Sequence, residues 1–448
     1  MTLTDIGMPP VQALRGDILS FHDDPFVHGI DASMRLQRDA VVAMRGGLIE
    51  AVGPAREVLP ALPAGTGVER CDDALICAGF VDAHVHYPQL PIIGARGLPL
   101  LEWLERYTFP AEQAYADRAH AEAMARLYLR ENLRNGITSA AVFCTVHPVS
   151  VDALFEAALE LNLRLIAGKV LMDRNAPAAL CDSAQSGYDD SAALIARWHG
   201  RGRLGYAITP RFAATSSPAQ LDAAGALWQA HPDCHVHTHL AENSAELAWT
   251  RELFPEALDY LDVYDRHGLL GPRALFAHGI HLHEREYARC HEADGALVHC
   301  PTSNLFLGSG LFDLAAARRA DRPLRVGMGT DLGAGTSFSM LRTLDEAGKV
   351  AQMRGAPLPA SHAFYLATRG GAHALHLEHR IGSIAPGMEA DLVVLDLKAT
   401  PLMQARMAHV DSLEEALAVL MTLGDDRAVR ATWVAGRKRH QREASAAG

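Results

Sequence analysis

Between residues 80 and 330 the chain alternates, eight times over, between an apolar run of strand length and a stretch with helical spacing. The runs begin near Phe80, Ile137, Leu165, Leu204, His235, Ala274, Gly295 and Arg325. Between them apolar residues recur at i, i+3, i+4 and i+7, as in Leu154, Ala157, Ala158 and Leu161, a segment that Ser150 can cap. Another helix is expected to run from Asp117 and to stop at Asn135-Gly136, where glycine accepts the left-handed conformation that ends helices. Strands and helices in alternation pair in parallel through crossovers. Eight such repeats favour an α/β fold of the closed (β/α)8 TIM-barrel type over an open doubly wound sheet.

The flanks read differently. Ala40–Met44, the turn Arg45-Gly46-Gly47, and Leu48–Val52 form a hairpin pattern. Leu392–Leu395, and Thr432–Val434 followed by Ala435-Gly436, look similar far downstream. Such pieces can make one sheet domain only if the chain ends meet. Residues 1–75 and 385–448 are therefore expected to form a small discontinuous β-sandwich domain beside a barrel over 76–384. At 448 residues and 49% apolar, the chain is long enough for both cores.

Phe80-Val81-Asp82-Ala83-His84-Val85-His86 alternates with period two. Strict alternation would turn Val81, Ala83 and Val85 to the helices and Asp82, His84 and His86 to the barrel interior. Two histidines at a strand's C-terminal end lie on the rim where barrel active sites are built, and can grip a metal together. Alone, H-x-H could equally be two solvated histidines. Three further strand ends add a ligand-capable group each: His239 after the fifth run, in His235-Val236-His237-Thr238-His239-Leu240-Ala241-Glu242, His278 in Ala277-His278-Gly279, and Asp331 in Gly329-Thr330-Asp331. Histidines with one aspartate and no cysteine suit one zinc ion, though iron tolerates the same ligands. Zinc lowers the pKa of a bound water from ~15.7 toward neutrality, so the set implies hydrolysis more than redox chemistry.

Charge narrows the partners. There are 41 basic and 53 acidic residues, a net charge of −12, which argues against duplex nucleic acid or an anionic membrane. No run approaches the ~18 apolar residues of a membrane span, and Met1–Ser20 lacks the apolar core of a secretion signal. Seven cysteines without a C-x-x-C pair fit a reducing compartment, so a cytoplasmic protein is expected.

These motifs resemble the amidohydrolase superfamily: the H-x-H pair, the H-x-x-E of His239 to Glu242, the histidine of A-H-G and the aspartate of G-T-D. Within it the chain is similar to the guanine deaminases. The more specific segments are Leu100-Leu101-Glu102-Trp103-Leu104, Tyr107-Thr108-Phe109-Pro110, Gly168 to Asp173, Thr209-Pro210-Arg211-Phe212, His299 to Asn304, and Gly329-Thr330-Asp331. The resemblance runs from about Ala40 to the Pro386-Gly387-x-x-Ala390-Asp391 stretch, and departs from the family at Ala78, where proline usually precedes Gly79. It implies metal ligands His84, His86, His239, His278 and Asp331. It also implies Glu242 as proton shuttle with Asp331 assisting, and a purine held by Gln89, Arg211 and Phe212. Trp103 would border the pocket, and Glu242 and His278 would reach the ligand. The implied reaction is water attack at C2 of guanine, with Glu242 protonating N3 and ammonia leaving, to give xanthine. A homodimer is implied as well. Other amino-heterocycles (8-oxoguanine, adenosine derivatives, triazines) and a catalytically dead scaffold are the competing readings.

Several residues are set aside. His237 is expected to support the ligands, and His235 to lie deeper or in solvent. His299 precedes a Cys-Pro turn and is expected to back the pocket, with Cys300 as a small wall residue. Lys169 falls on the third strand, not the fourth where a bridging lysine for a second metal would be needed. His281 and His283 open a helix and are expected at the surface.

Overall fold

The computed structural model describes residues 10–443. Four strands precede the barrel: β1 (Gln12–Phe21), β2 (Met34–Arg45), β3 (Leu48–Pro54) and β4 (Gly67–Ala78). The barrel strands are β5 (Phe80–His86), β6 (Ile137–Phe143), β7 (Arg164–Gly168), the two-residue β8 (Val170–Leu171), β9 (Gly205–Pro210), β10 (His235–Leu240), β11 (Ala274–His278), β12 (Ala296–His299) and β13 (Arg325–Met328). Three follow: β14 (Leu392–Asp396), β15 (Val429–Val434) and β16 (Arg437–Gln441). Apart from β8, which extends the third strand beside β9, the barrel strands pair in parallel in chain order from β5 to β13. Each expected barrel strand begins within about one residue of its expected start, whereas the flanking strand expected from Ala40 begins earlier, at Met34.

The ring closes between β13 and β5 through close backbone approach. Gly327 permits it, since an added Cβ would lie 2.8 Å from that of Ala83. Asp331 N–H then donates to the His84 carbonyl at 2.9 Å, and the Asp82 carboxylate accepts from Thr330 N–H at 2.9 Å. This latch corrects the expected alternation in β5. Its register against β6 shifts between Phe80 and Val81 and again between Asp82 and Val85. Val81 and Ala83 therefore pack with Ala207, Leu275, Ala296 and Val298 inside the barrel, while Val85 joins the core beneath the helices. Asp82 faces Thr330 and does not join the histidines. Irregularities of this kind break period two without a residue signature.

The barrel floor is plugged by Gly371–Ala374 and Leu375, whose carbonyl lies 2.9 Å from His235 Nε2. The helix expected from Ser150 starts earlier, at Pro148; Ser150 sits in its first turn and donates Oγ–H to the His147 carbonyl at 2.7 Å. Arg118–Arg134 is helical with Asp117 as its cap, as the sequence suggested.

The flanking strands form one sheet in the order β16-β15-β14-β4-β1-β2-β3. It curls until its two end hairpins meet: Ala390 N–H donates to the Gly47 carbonyl at 2.8 Å, and Gly436 N–H to the Ala390 carbonyl at 2.9 Å. Period two then serves two cores. Ile76, Leu392 and Val394 fill the inside of the curl with Leu14, Val42 and Trp433, while Leu75, Cys77, Val393 and Leu395 pack on the barrel. The C-terminal segment is not wholly β: helices Pro401–Met407 and Leu413–Leu423 bury Met403, Leu417 and Leu420 in the barrel's outer core.

A buried ion cluster joins sheet and barrel. Arg164 Nε and Arg203 Nε lie 2.7 and 2.9 Å from Glu389 Oε2, and Arg203 Nη1 lies 3.0 Å from Asp391 Oδ1. No helix among the described residues is long and apolar enough to cross a membrane. All seven cysteines are free thiols.

Candidate metal centre and ligand cavity

The groups named from the sequence converge at the C-terminal ends of the barrel strands. His84 and His86 come from β5, His239 from β10, His278 from the last position of β11, and Asp331 from the turn after β13. His278 and Asp331 hold left-handed backbone conformations, with φ of 73° and 47°. Non-glycine residues adopt these at some cost, and such outliers gather at functional sites. Gly335 tightens the Asp331 turn, where an added Cβ would fall 1.8 Å from the Thr330 carbonyl oxygen.

The distances describe a single cluster. Asp331 Oδ1 lies 3.3 Å from His84 Nε2 and 3.4 Å from His86 Nε2, and Asp331 Oδ2 lies 3.8 Å from His278 Nε2. His86 Nε2 and His239 Nε2 approach to 3.0 Å. Two neighbours fix ring tautomers. His239 Nδ1 lies 2.7 Å from the Arg211 carbonyl, and His278 Nδ1 lies 2.8 Å from Asn304 Oδ1. Both acceptors call for a proton on Nδ1, so both Nε2 atoms carry lone pairs. Ligating histidines are held this way, through the ring nitrogen that does not bind.

Does the set fit a metal ion? Burial pushes the pKa values of His84, His86 and His239 well below the ordinary imidazole range, keeping them neutral. His84 Nε2 and His278 Nε2 are buried without a hydrogen-bond partner. Orphaned imidazole nitrogens are costly, and a cation answers all of them at once. His84, His86 and His239 can share one ion, as can His84, His278, Asp331 and Cys300, with candidate atoms within 4.8 Å of one another. The donor set fits a divalent cation. Cys300 is also within reach of it, and burial raises its thiol pKa well above the usual value.

Beside this cluster lies a small, partly enclosed cavity. His86, His239, Glu242 and Asp331 line it on one side; Gln89, Trp103, Arg211 and Phe212 also line it. His278 is not on the wall: its Nε2 lies 3.4 Å from Glu242 Oε2. Burial, reinforced by the Asp331 charge, pushes the Glu242 carboxyl up to about 8, although Ser309 Oγ donates to it at 3.2 Å.

His237 Nε2 lies 2.8 Å from His84 Nδ1, behind the ligand-facing nitrogen. His299 stacks on Phe312 with ring centroids 4.6 Å apart. Lys169, just after β7, is buried and paired with Asp182. His283 is exposed, whereas His281 is half-buried with its Nε2 2.9 Å from the Ser309 carbonyl.

Sequence reasoning missed two buried carboxylates. Glu246 accepts from Glu242 N–H at 2.9 Å, Asn243 N–H at 3.1 Å and Tyr260 Oη at 2.6 Å. Only its spacing, three residues after the Asn243 cap, announced a capping box. Glu112 takes Arg211 Nη1 on both oxygens, at 2.9 and 2.8 Å. It lies 99 residues away in sequence, and no local pattern marks it.

The amidohydrolase family model matches residues 75–439, most of the chain. This chain belongs to the amidohydrolase family. Among its relatives in that family, the guanine deaminase of Escherichia coli (strain K12) is 49% identical over 439 residues, 97% of this chain and 99% of that protein. The solved structure of E. coli guanine deaminase superposes with a TM-score of 0.94, covering 96% of this amidohydrolase and 100% of its own chain. A guanine deaminase from C. acetobutylicum, solved with guanine in its active site, is 27% identical with a TM-score of 0.84, covering 96% and 99% of the two chains. An adenosine deaminase from Xanthomonas campestris with bound zinc is 26% identical at a TM-score of 0.84, covering 96% and 93%.

Proposed function

We propose that this amidohydrolase deaminates guanine hydrolytically to xanthine and ammonia. The observation that carries the reading is one cavity with two faces: a fixed-charge donor, Arg211, on its wall, and a buried acid, Glu242, beside the imidazole cluster. The near full-length likeness to guanine deaminases supports it.

In this reading His84, His86, His239, His278 and Asp331 hold one zinc ion, with iron(II) an acceptable substitute for the same ligands. Bound there, the cation would lower the pKa of water from ~15.7 toward 7. The remaining work falls to side chains. Gln89 and Arg211 orient the purine, and Arg211 donates to the O6/N7 acceptor edge, the pattern by which arginine reads guanine elsewhere. Phe212 and Trp103 cover the ring. Glu242, favoured in its acid form by burial, donates a proton to N3 as water adds at C2. Asp331 accepts a proton from the adding water and returns it to the exocyclic nitrogen. The C2–N bond then breaks and ammonia leaves, and the C2 hydroxyl proton returns to the Glu242 carboxylate as C2 becomes a carbonyl. The balance is guanine plus water to xanthine plus ammonia.

The catalytic unit is the barrel, over about residues 76–384, with 1–75 and 385–448 as its joined flank. Free thiols and the −12 net charge favour a cytoplasmic enzyme of purine breakdown and salvage without nucleic-acid or membrane partners, and a homodimer is the expected assembly. The test is xanthine formation from guanine, followed spectroscopically before and after chelation, with elemental analysis of protein purified without added metal. Metal-dependent xanthine production is expected. Turnover of other amino-heterocycles but not guanine would replace the reading.

A further inference from the structure

We infer that Glu112 is a positioning residue that dictates which hydrogen-bonding edge a ligand must present, acting through Gln89 and Arg211. The inference rests on the guanine reading. Glu112 sits on the short helix Phe109–Gln113, in the stretch that also carries Trp103, and is fully buried. Its carboxylate engages Arg211 and also hydrogen-bonds the Gln89 side chain. A carboxylate beside a guanidinium offers only lone pairs. The Gln89 amide must therefore turn its NH2 group to Glu112 and its oxygen away.

That oxygen is left bare. Gln89 is 3% exposed and lines the cavity, yet its Oε1 has no partner. Gly333 makes room for the amide, since an added Cβ would fall 2.4 Å from Oε1. A buried acceptor without a donor is costly, so the position calls for one from the ligand. One anchor thus sets two adjacent demands: an acceptor for Arg211 and a donor for Gln89 Oε1. The N1–H and C6=O pair of guanine meets both. A purine with the same C2 amine but a bare N1 and an amine at C6 inverts both.

The experiment compares kcat/KM for guanine and for 2,6-diaminopurine, by ammonia release, with metal content measured alongside. The wild-type protein is expected to prefer guanine by ~10³ or more, the scale of a mismatched buried polar contact. In Glu112→Gln the new amide can offer NH2, which frees Gln89 to turn over. The preference should fall ~10-fold or more, mainly through a raised KM for guanine, with metal retained. Glu112→Asp keeps an acceptor-only group and should hold the preference within about threefold. An unchanged preference in folded, metal-replete Glu112→Gln overturns the inference. If Glu112→Gln does not fold, Glu112→Asp decides: a held preference supports the assignment and a lost one overturns it. A wild-type protein that makes no xanthine refutes the guanine reading instead, whereas one that turns over both purines equally overturns this inference alone.

Discussion

His239 Nδ1 lies 2.7 Å from the carbonyl oxygen of Arg211. A residue whose side chain lines the ligand cavity thus fixes, through its backbone, the tautomer of a histidine facing the metal position. Ligand reading and metal binding are coupled through one residue.

His278 depends in the same way on a side chain. Asn304→Ala removes the acceptor for Nδ1, so the ring is free to rotate and to change tautomer. Metal affinity should fall ~10–100-fold in a chelator competition, with the fold intact by circular dichroism. An unaltered affinity would show that Asn304 plays no part in holding the ring.

Glu242→Gln tests the proton donor. The amide keeps the shape and can still pair with Ser309, but it cannot donate a proton to a ring nitrogen. Turnover of guanine should fall at least ~10²-fold, about 2.7 kcal/mol in barrier, with metal content unchanged. Near-normal turnover in a metal-replete variant would remove Glu242 from the chemistry.

Gly335→Ala probes the Asp331 turn. A methyl group 1.8 Å from the Thr330 carbonyl oxygen forces that loop open. The expected result is protein that folds yet copurifies with far less metal than the wild type. Equal metal loading would mean that the loop yields elsewhere.

The ion cluster at the sheet–barrel junction predicts acid sensitivity. Burial opposes ionisation of Glu389, but Arg164 and Arg203 outweigh it and hold its pKa below the ordinary value of 4.5. Its stabilisation is therefore complete above the unfolded-state pKa and is lost as pH falls through the lower folded-state value. Glu389→Gln should cost ~3 kcal/mol at pH 7, as expected for breaking a buried pair. The gap in urea midpoint between wild type and variant should stay constant above pH ~5 and narrow below pH ~4.5. A gap independent of pH would assign the loss to packing.

The barrel was readable because its signal is repeated and local: eight apolar runs recur, and four of them end at groups able to bind metal. His84, His86, His239, His278 and Asp331 stood out on that pattern, and the structure brings them together. What escaped was set by contacts between distant segments. Asp82 reads as a third inward residue of β5, and only the register shifts against β6 turn it to Thr330. Glu112 looks like any helical glutamate until Arg211 is found against it. The helices near the C-terminus fill grooves of the barrel's outer layer, and so could not be inferred from the hairpin-like runs around them.

A single residue, Gly79, separates the last flanking strand from the strand bearing His84 and His86, and its N–H donates to the Asp391 carbonyl at 2.9 Å. There is no linker to bend and no seam at which to cut. Deleting the tail from β14 onward would therefore not free a minimal enzyme; it would strip β14 from β4 and the Asp391 carbonyl from Gly79, two contacts that brace the strand bearing the first pair of imidazoles.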